Sequence, residues 1–122
     1  MTNAETAQPI PGNSGAYRYK NLLIQRRKGE YVLCLAGDMG YRPILQYREA
    51  LINRLGFVLE EEYGVTDMVQ KYSCQGFSFT LEYMGYDMDA IFFRVHTEDE
   101  EIPQCYLKAA EYLNSLEVSE DG

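Results

Sequence analysis

The strongest constraint on the fold is a two-residue alternation of apolar and polar side chains between residues 76 and 96. Its apolar members are Phe77, Phe79, Leu81 and Tyr83, followed by Ile91, Phe93 and Val95. Successive side chains on a strand point to opposite faces, so the pattern predicts two half-buried strands joined by a turn around Gly85. Phe92 breaks the alternation and faces the same way as Arg94 and His96. We expect Phe92 to be either covered by the C-terminal helix or exposed as a contact.

Further strands are predicted on both sides of this hairpin. Residues 17–27 and 30–36 are rich in strand formers, and Lys28-Gly29 between them permits a tight reversal because glycine adopts positive φ without steric cost. Residues 57–63 also have a strand period. Residues 65–73 fit a short strand or a single helical turn, and the sequence leaves these two alternatives open.

Two segments have the period of amphipathic helices. In residues 42–57 the apolar side chains recur at three- and four-residue steps, with Pro43 in the first turn and Gly56 at the left-handed stop. Residues 102–117 show the same period, with Pro103 marking the first turn. The acidic run Glu98–Glu101 just ahead of Pro103 is partly explained as charge that caps this helix.

These elements predict an α+β fold with the order ββα-β(β)ββ-α. Short turns between strands indicate an antiparallel sheet, here of four to five strands, and the two helices can cover one face to form a two-layer sandwich. A chain of 122 residues has the length of one domain. We expect a flexible N-terminal arm at 1–16, a single domain at 17–118 and an acidic tail at 119–122.

The net charge of −8 is distributed unevenly along the chain. Residues 1–56 contain eight basic and four acidic side chains, a net +4, whereas residues 57–122 contain three basic and fifteen acidic ones, a net −12. The acidic half disfavours binding to nucleic acid because phosphate would be repelled. No apolar run reaches bilayer length and the N-terminus does not resemble a secretory signal, so a cytoplasmic protein is expected, without a membrane partner.

The acidic half contains the side chains that we predict to contact a partner. Acidic runs next to tyrosines suit complementarity to a basic protein, although a solvated surface is the usual role of such runs. The predicted contact residues are Glu60, Glu61, Glu62, Tyr86, Asp87, Asp89, Glu98, Asp99, Glu100 and Glu101.

Catalytic and metal sites are weaker interpretations of the same sequence. His96 and Asp99 could form an acid–base pair, but nothing in the sequence positions a nucleophile beside them. Arg42 follows a glycine-containing loop that matches no phosphate-binding pattern. A zinc site built from the three cysteines Cys34, Cys74 and Cys105 with His96 lacks the close paired spacing of structural zinc sites. We therefore expect no cofactor, and buried reduced cysteines.

The leading functional hypothesis is a small, non-catalytic binding protein of the immunity or inhibitor type. Such a protein would neutralise a basic toxin, plausibly a nuclease, because enzymes that act on nucleic acid carry a positive cleft. A second hypothesis is a dimeric adaptor or secretion-chaperone type protein that uses Phe92 and apolar residues of the sheet. A third is an enzyme with an unrecognised site, for which His96 and Arg42 are the first residues to test.

Overall fold

A computed structural model describes residues 6–37, 40–64, 67–85 and 89–118, which form one antiparallel sheet and two helices. The strands are β1 (Gln8–Pro9), β2 (Ala16–Tyr19), β3 (Leu22–Arg27), β4 (Glu30–Gly37), β5 (Val58–Tyr63), β6 (Met68–Cys74), β7 (Phe77–Met84) and β8 (Ala90–His96). The helices are α1 (Pro43–Asn53) and α2 (Gln104–Ser115). Across the sheet the strands follow the order β1-β2-β3-β4-β8-β7-β6-β5.

The predicted sheet of four to five strands is wrong in number, because the structure has eight. Residues 17–27 were expected to be one strand, but they form β2 and β3 on either side of a turn at Lys20-Asn21. Lys20 takes a φ of 56°, which a lysine rarely adopts and which its sequence does not signal. Within the ambiguous segment, residues 68–73 belong to β6, whereas residues 65 and 66 lie outside the described residues. The two-residue strand β1 lies inside the predicted N-terminal arm.

The sheet consists of two sequence-local halves that meet at a single strand pair. Strands β1 to β4 pair in sequence order, as do β5 to β8, so each half is built from neighbouring hairpins. Strand β4 then pairs with β8, with Glu30 opposite His96 and Val32 opposite Arg94. This seam brings together residues more than fifty positions apart, a pairing that local patterns do not predict.

Both helices pack on one face of the sheet, so the predicted two-layer arrangement with two helices is confirmed. Phe79 of β7 and Phe93 of β8 lie 5.9 Å apart between ring centroids, and the Tyr106 ring of α2 stacks on Phe93 at 5.0 Å. The Tyr106 hydroxyl also donates to the Phe93 carbonyl at 2.6 Å. The buried side chains of α1, among them Tyr47 and Leu51, belong to the same core.

The opposite face of the sheet, which we call the open face, carries the side chains that alternate with this core. Phe92 is half-buried there, between Cys34 of β4 and Glu82 of β7 in the strand register. Because its neighbour Phe93 points to Tyr106 of α2, Phe92 faces away from that helix. Phe92 is therefore not covered by that helix; it is half-buried on the open face with the Arg94 guanidinium 5.6 Å from its ring centre, and its use as a contact stays a prediction.

Candidate functional site

The predicted contact residues that the structure describes fall in three separate places. Glu98–Glu101 form the loop between β8 and α2, which we call the acidic loop. Glu60, Glu61 and Glu62 lie on β5, and Asp89 directly precedes β8. Tyr86 and Asp87 lie outside the described residues. The acidic loop and Asp89 are separated by the seven residues of β8, about 20 Å of strand, so the predicted residues do not form one patch.

The backbone of the acidic loop is held by hydrogen bonds. The Tyr31 hydroxyl donates to the Asp99 carbonyl at 2.9 Å, and the Arg26 guanidinium donates to the Thr97 carbonyl at 3.1 Å. The Asp99 amide donates to Thr97 Oγ1 at 3.1 Å, and the Thr97 amide donates to the Gly29 carbonyl at 3.0 Å. Asp99 and the preceding Thr97 are therefore held against the hairpin of β3 and β4, while all four acidic side chains are exposed.

The acidic loop lies ahead of α2 and outside its first turn. The helix begins after Pro103, which makes no side-chain capping hydrogen bond, and its first turn contains no acidic residue. Residues Ile102 and Pro103 separate the loop from the helix start. Stabilisation of the helix by the charge of the run stays a prediction.

The acidic side chains of this loop make no ion pair within the part of the chain that is described. The charge gradient is nevertheless reduced locally, because the basic turn at Lys28-Gly29 lies beside the loop. A side chain at Gly29 would place its Cβ 3.4 Å from Glu98 Oε2. This end of the molecule therefore presents carboxylates next to a basic turn. A partner that contacts the loop and the turn together needs charges opposite to each of them.

The glutamates of β5 have different surroundings. Glu60 accepts a hydrogen bond from Ser73 Oγ at 2.6 Å, and Glu61 lies 3.9 Å from Lys71 Nζ with both side chains at least half exposed. Both side chains are on the open face with their partners from β6. Their contacts are solvent-exposed and leave both carboxylates accessible.

Glu62 is on the other face of β5 and takes part in a buried hydrogen-bond chain. The Tyr72 hydroxyl donates to Gln70 Oε1 at 2.6 Å, and Gln70 Nε2 donates to Glu62 Oε2 at 2.7 Å. Gln70 is fully buried, and Arg48 of α1 approaches Glu62 at 4.0 Å. The carboxylate of Glu62 therefore accepts the hydrogen bond of the buried Gln70 amide, which is a structural role.

Asp89 also accepts a hydrogen bond from a residue of its own hairpin. The Tyr83 hydroxyl donates to Asp89 Oδ1 at 2.7 Å. This hydrogen bond, with some burial and the charge of the carboxylate, raises the pKa of Tyr83 to about 12. Asp89 has a φ of 50°, a left-handed conformation that aspartate tolerates better than most residues.

A charged cluster at the seam of the open face was missed by sequence analysis. Arg94 donates to Glu30 Oε2 at 3.0 Å and also bonds Glu82, and all three side chains are about one-fifth exposed. His96 lies beside them, with Nε2 2.6 Å from Thr80 Oγ1 and Nδ1 3.7 Å from Glu30 Oε1. The alternation on β8 places Arg94 and His96 on one face, but Glu30 and Thr80 come from other strands.

Burial lowers the pKa of His96 below its usual value. Glu30 opposes this shift, whereas the nearby charges of Arg94 and Lys71 add to it. The side chain is still 41% exposed, which limits how far desolvation can act. His96 is therefore neutral at pH 7, with a hydroxyl partner at one ring nitrogen and a carboxylate facing the other.

The residues proposed for the enzyme hypothesis are not brought together. Arg42 lines a shallow cavity on α1 with Tyr41 and Leu45, whereas His96 lines a groove of the open face with Lys71 and Glu82. The carboxylate facing His96 is that of Glu30, not of Asp99. Two residues of the glycine-containing loop ahead of Arg42, Asp38 and Met39, lie outside the described residues.

The prediction of buried cysteines is wrong for Cys34, which is exposed on the open face. Cys74 at the end of β6 and Cys105 in α2 lie near each other and are partly buried. Desolvation raises the pKa of the Cys34 and Cys105 thiols. Among the residues described, no group of three or more His, Cys, Asp and Glu is placed to hold a metal ion.

Neither α1 nor α2 is long and apolar enough to cross a membrane. Comparisons with protein-family models, with curated proteins and with solved structures give no match for this chain.

Proposed function

We propose that this protein acts in the cytoplasm as an immunity- or inhibitor-type protein that binds a basic protein partner. The observation that carries the proposal is the acidic loop, whose four carboxylates are exposed and whose backbone is bonded to the rest of the fold at Asp99 and at the preceding Thr97. A fixed backbone lowers the conformational entropy lost on binding, since the loop does not have to be ordered by the partner.

Electrostatics favour a basic partner over a neutral one at this loop. Four adjacent carboxylates repel each other, and no cation of the described chain lies within ion-pair distance to relieve them. A basic group placed against the loop would be attracted by all four carboxylates at once. Such complementarity mainly increases the association rate and the selectivity for the partner.

Further carboxylates at the same end of the sheet extend this surface. Glu60 of β5 and Glu30 of β4 line the groove of the open face that also contains His96, the residue that leads into the acidic loop. Three strand spacings, about 14 Å, separate β8 from β5. A partner of ordinary interface size can therefore contact the acidic loop and the first half of β5 together.

The proposal is tested by capture of a partner from a lysate of the native cell. The variant E98Q/E100Q should recover less of a basic partner, and the loss should shrink as salt is added to both samples. The control E49Q/E117Q makes the same change in net charge at exposed positions on α1 and after α2. If a basic partner is captured equally by both variants, or if only non-basic proteins are captured, the proposal fails.

A second candidate, the dimeric adaptor, is favoured by a different observation. A groove of about 680 Å³ on the open face is lined by side chains from both halves of the sheet, apolar ones such as Leu23, Val32, Met84 and Phe92 together with polar ones such as Arg27 and Arg94. Leu23 is 49% exposed and adds accessible apolar surface to this groove. Sedimentation equilibrium should then show a dimer that dissociates in F92N, whereas a monomeric wild-type protein excludes this candidate.

A further inference from the structure

The two edges of the sheet differ in how they are closed to further strands. At one edge, β1 has only two residues, and one of them is Pro9, which has no N–H to donate. At the other edge, β5 has six residues and contains no proline. Within the described residues, the main chain of 58–63 bonds only to β6, so its outward N–H and C=O groups have no protein partner.

The side chains of β5 are also unusually accessible for a strand. Five of its six residues are exposed, with Val58 at 56% and Tyr63 at 49%, and Leu59 is intermediate. The apolar residues are at the two ends, and the glutamates Glu60–Glu62 lie between them. An edge of this kind is a template for strand addition unless something prevents it.

The glutamates decide which strand can be added. A second copy of β5 in antiparallel pairing would place glutamates opposite glutamates, which like-charge repulsion disfavours. A segment with basic residues at the centre would place opposite charges there instead. The edge is therefore closed to self-association and open to a basic chain.

We propose that β5 accepts an extended basic segment of a protein partner as a ninth, antiparallel strand of the sheet. This inference rests on the proposed function and specifies how its partner is bound. Main-chain hydrogen bonds supply the pairing, and the glutamates select the sequence of the segment. Basic residues of the segment should lie beside Glu60 and Glu61 on the open face, with apolar residues on both sides beside Val58 and Tyr63.

The alternative is that the glutamates and the bulge between Leu59 and Glu61 only protect the edge from aggregation. Protection by charge would exclude every added strand that carries no compensating charge, but it predicts no ordered pairing with a basic one. The two explanations differ in the hydrogen exchange of the outward amides of β5. That difference can be measured.

The probe is the peptide acetyl-Thr-Val-Lys-Arg-Lys-Leu-Thr-amide, with a fluorescent label for anisotropy titration and without it for hydrogen exchange by NMR. Binding should slow the exchange of amides within 58–63 but not of those in β1. Two N-methylated peptides, each blocking alternate backbone donors, test the pairing. The peptide methylated on the side that faces β5 should lose binding, and the other should keep it.

Matched variants separate pairing from general attraction between charges. E60K/E61K should weaken peptide binding about tenfold, from two exposed charge pairs reversed, whereas E49K/E117K should change it less than twofold. No binding, unchanged exchange at 58–63, or equal binding of both methylated peptides would overturn the inference. If capture from the lysate depends on Glu98 and Glu100 while the peptide fails, the proposed function stands and the strand addition falls.

Discussion

Arg94 lies where the two halves of the sheet meet, and its guanidinium contacts one carboxylate from each half. Glu30 comes from β4 and Glu82 from β7, and the Arg94 guanidinium also lies 5.6 Å from the Phe92 ring centre. Two glutamates at about one-fifth exposure would repel each other without the cation between them. The arginine thus makes an otherwise unfavourable pair of acids compatible with the strand register.

Replacement of Arg94 by methionine should therefore destabilise the protein by about 2 kcal/mol, because it keeps the aliphatic stem but leaves two partly buried carboxylates uncompensated. Urea unfolding of R94M measures the loss. The control is K71M, since Lys71 is half exposed and 3.9 Å from Glu61, and its loss should stay below about 0.5 kcal/mol. Equal losses in both variants would contradict a special role for Arg94.

His96 makes the stability dependent on pH in a defined direction. Because burial lowers its pKa in the folded state below the usual 6.5, the unfolded chain binds the proton more readily. Stability should be complete above pH 6.5 and should fall as the pH decreases from there towards the lower pKa of the folded state. Glu30 reduces this effect, while Arg94 and Lys71 increase it.

The variant H96Q removes this titration and keeps a polar side chain beside Thr80. The free energy of unfolding, measured in urea between pH 5.5 and 7.5, should fall less steeply with decreasing pH in H96Q than in the wild type. The carboxylates titrate in both proteins, so the difference between the two slopes isolates His96. Parallel slopes would mean that the histidine does not contribute.

Among the elements, β5 has one side on the open face and the other towards the helix layer, and its glutamates divide accordingly. Glu62 accepts from the buried Gln70 and lies near Arg48 of α1, so it connects the edge strand to the next strand and to the helix layer. Glu61 faces solvent beside Lys71. Of the three glutamates predicted to contact a partner, Glu62 therefore has a task within the fold.

Alanine at Glu62 should cost about 1 to 2 kcal/mol, because the buried amide of Gln70 loses its acceptor. Alanine at Glu61 should change stability by less than about 0.5 kcal/mol, since the exposed pair contributes little. Thermal or urea unfolding of E62A and E61A provides the comparison. A larger loss in E61A would show that the assignment of the two faces is wrong.

Sequence patterns predicted the elements whose signals are local. The helices begin at or next to their prolines, Gly56 takes a positive φ after α1, and β7 and β8 follow the alternation seen in the sequence. The turn at Lys20-Asn21 was missed because Asn21 is its only common turn residue and strand formers lie on both sides of it. Strand β1 was missed because two residues carry no periodicity. The Glu30–Arg94–His96 cluster was missed because it depends on the pairing of β4 with β8.

At the scale of the whole molecule, the seam between β4 and β8 makes one sheet of two local halves. The buried core is continuous across it, from Ile24 of β3 through Phe93 to Tyr72 of β6. Local hairpins form readily, but the seam requires closure of a loop of more than fifty residues. We therefore expect the seam to decide whether the halves unfold together.

Phe93 is the residue with which to test this expectation, since it is fully buried, lies on β8 at the seam and stacks on both Phe79 and Tyr106. F93L should lower the global stability by about 1 to 2 kcal/mol without removing the apolar side chain. If the sheet opens as one unit, native-state hydrogen exchange of the slowest amides in β3 and β7 should accelerate by the same factor in F93L. Acceleration in β7 alone would show that the halves open independently and that β1 to β4 keep their structure without the seam.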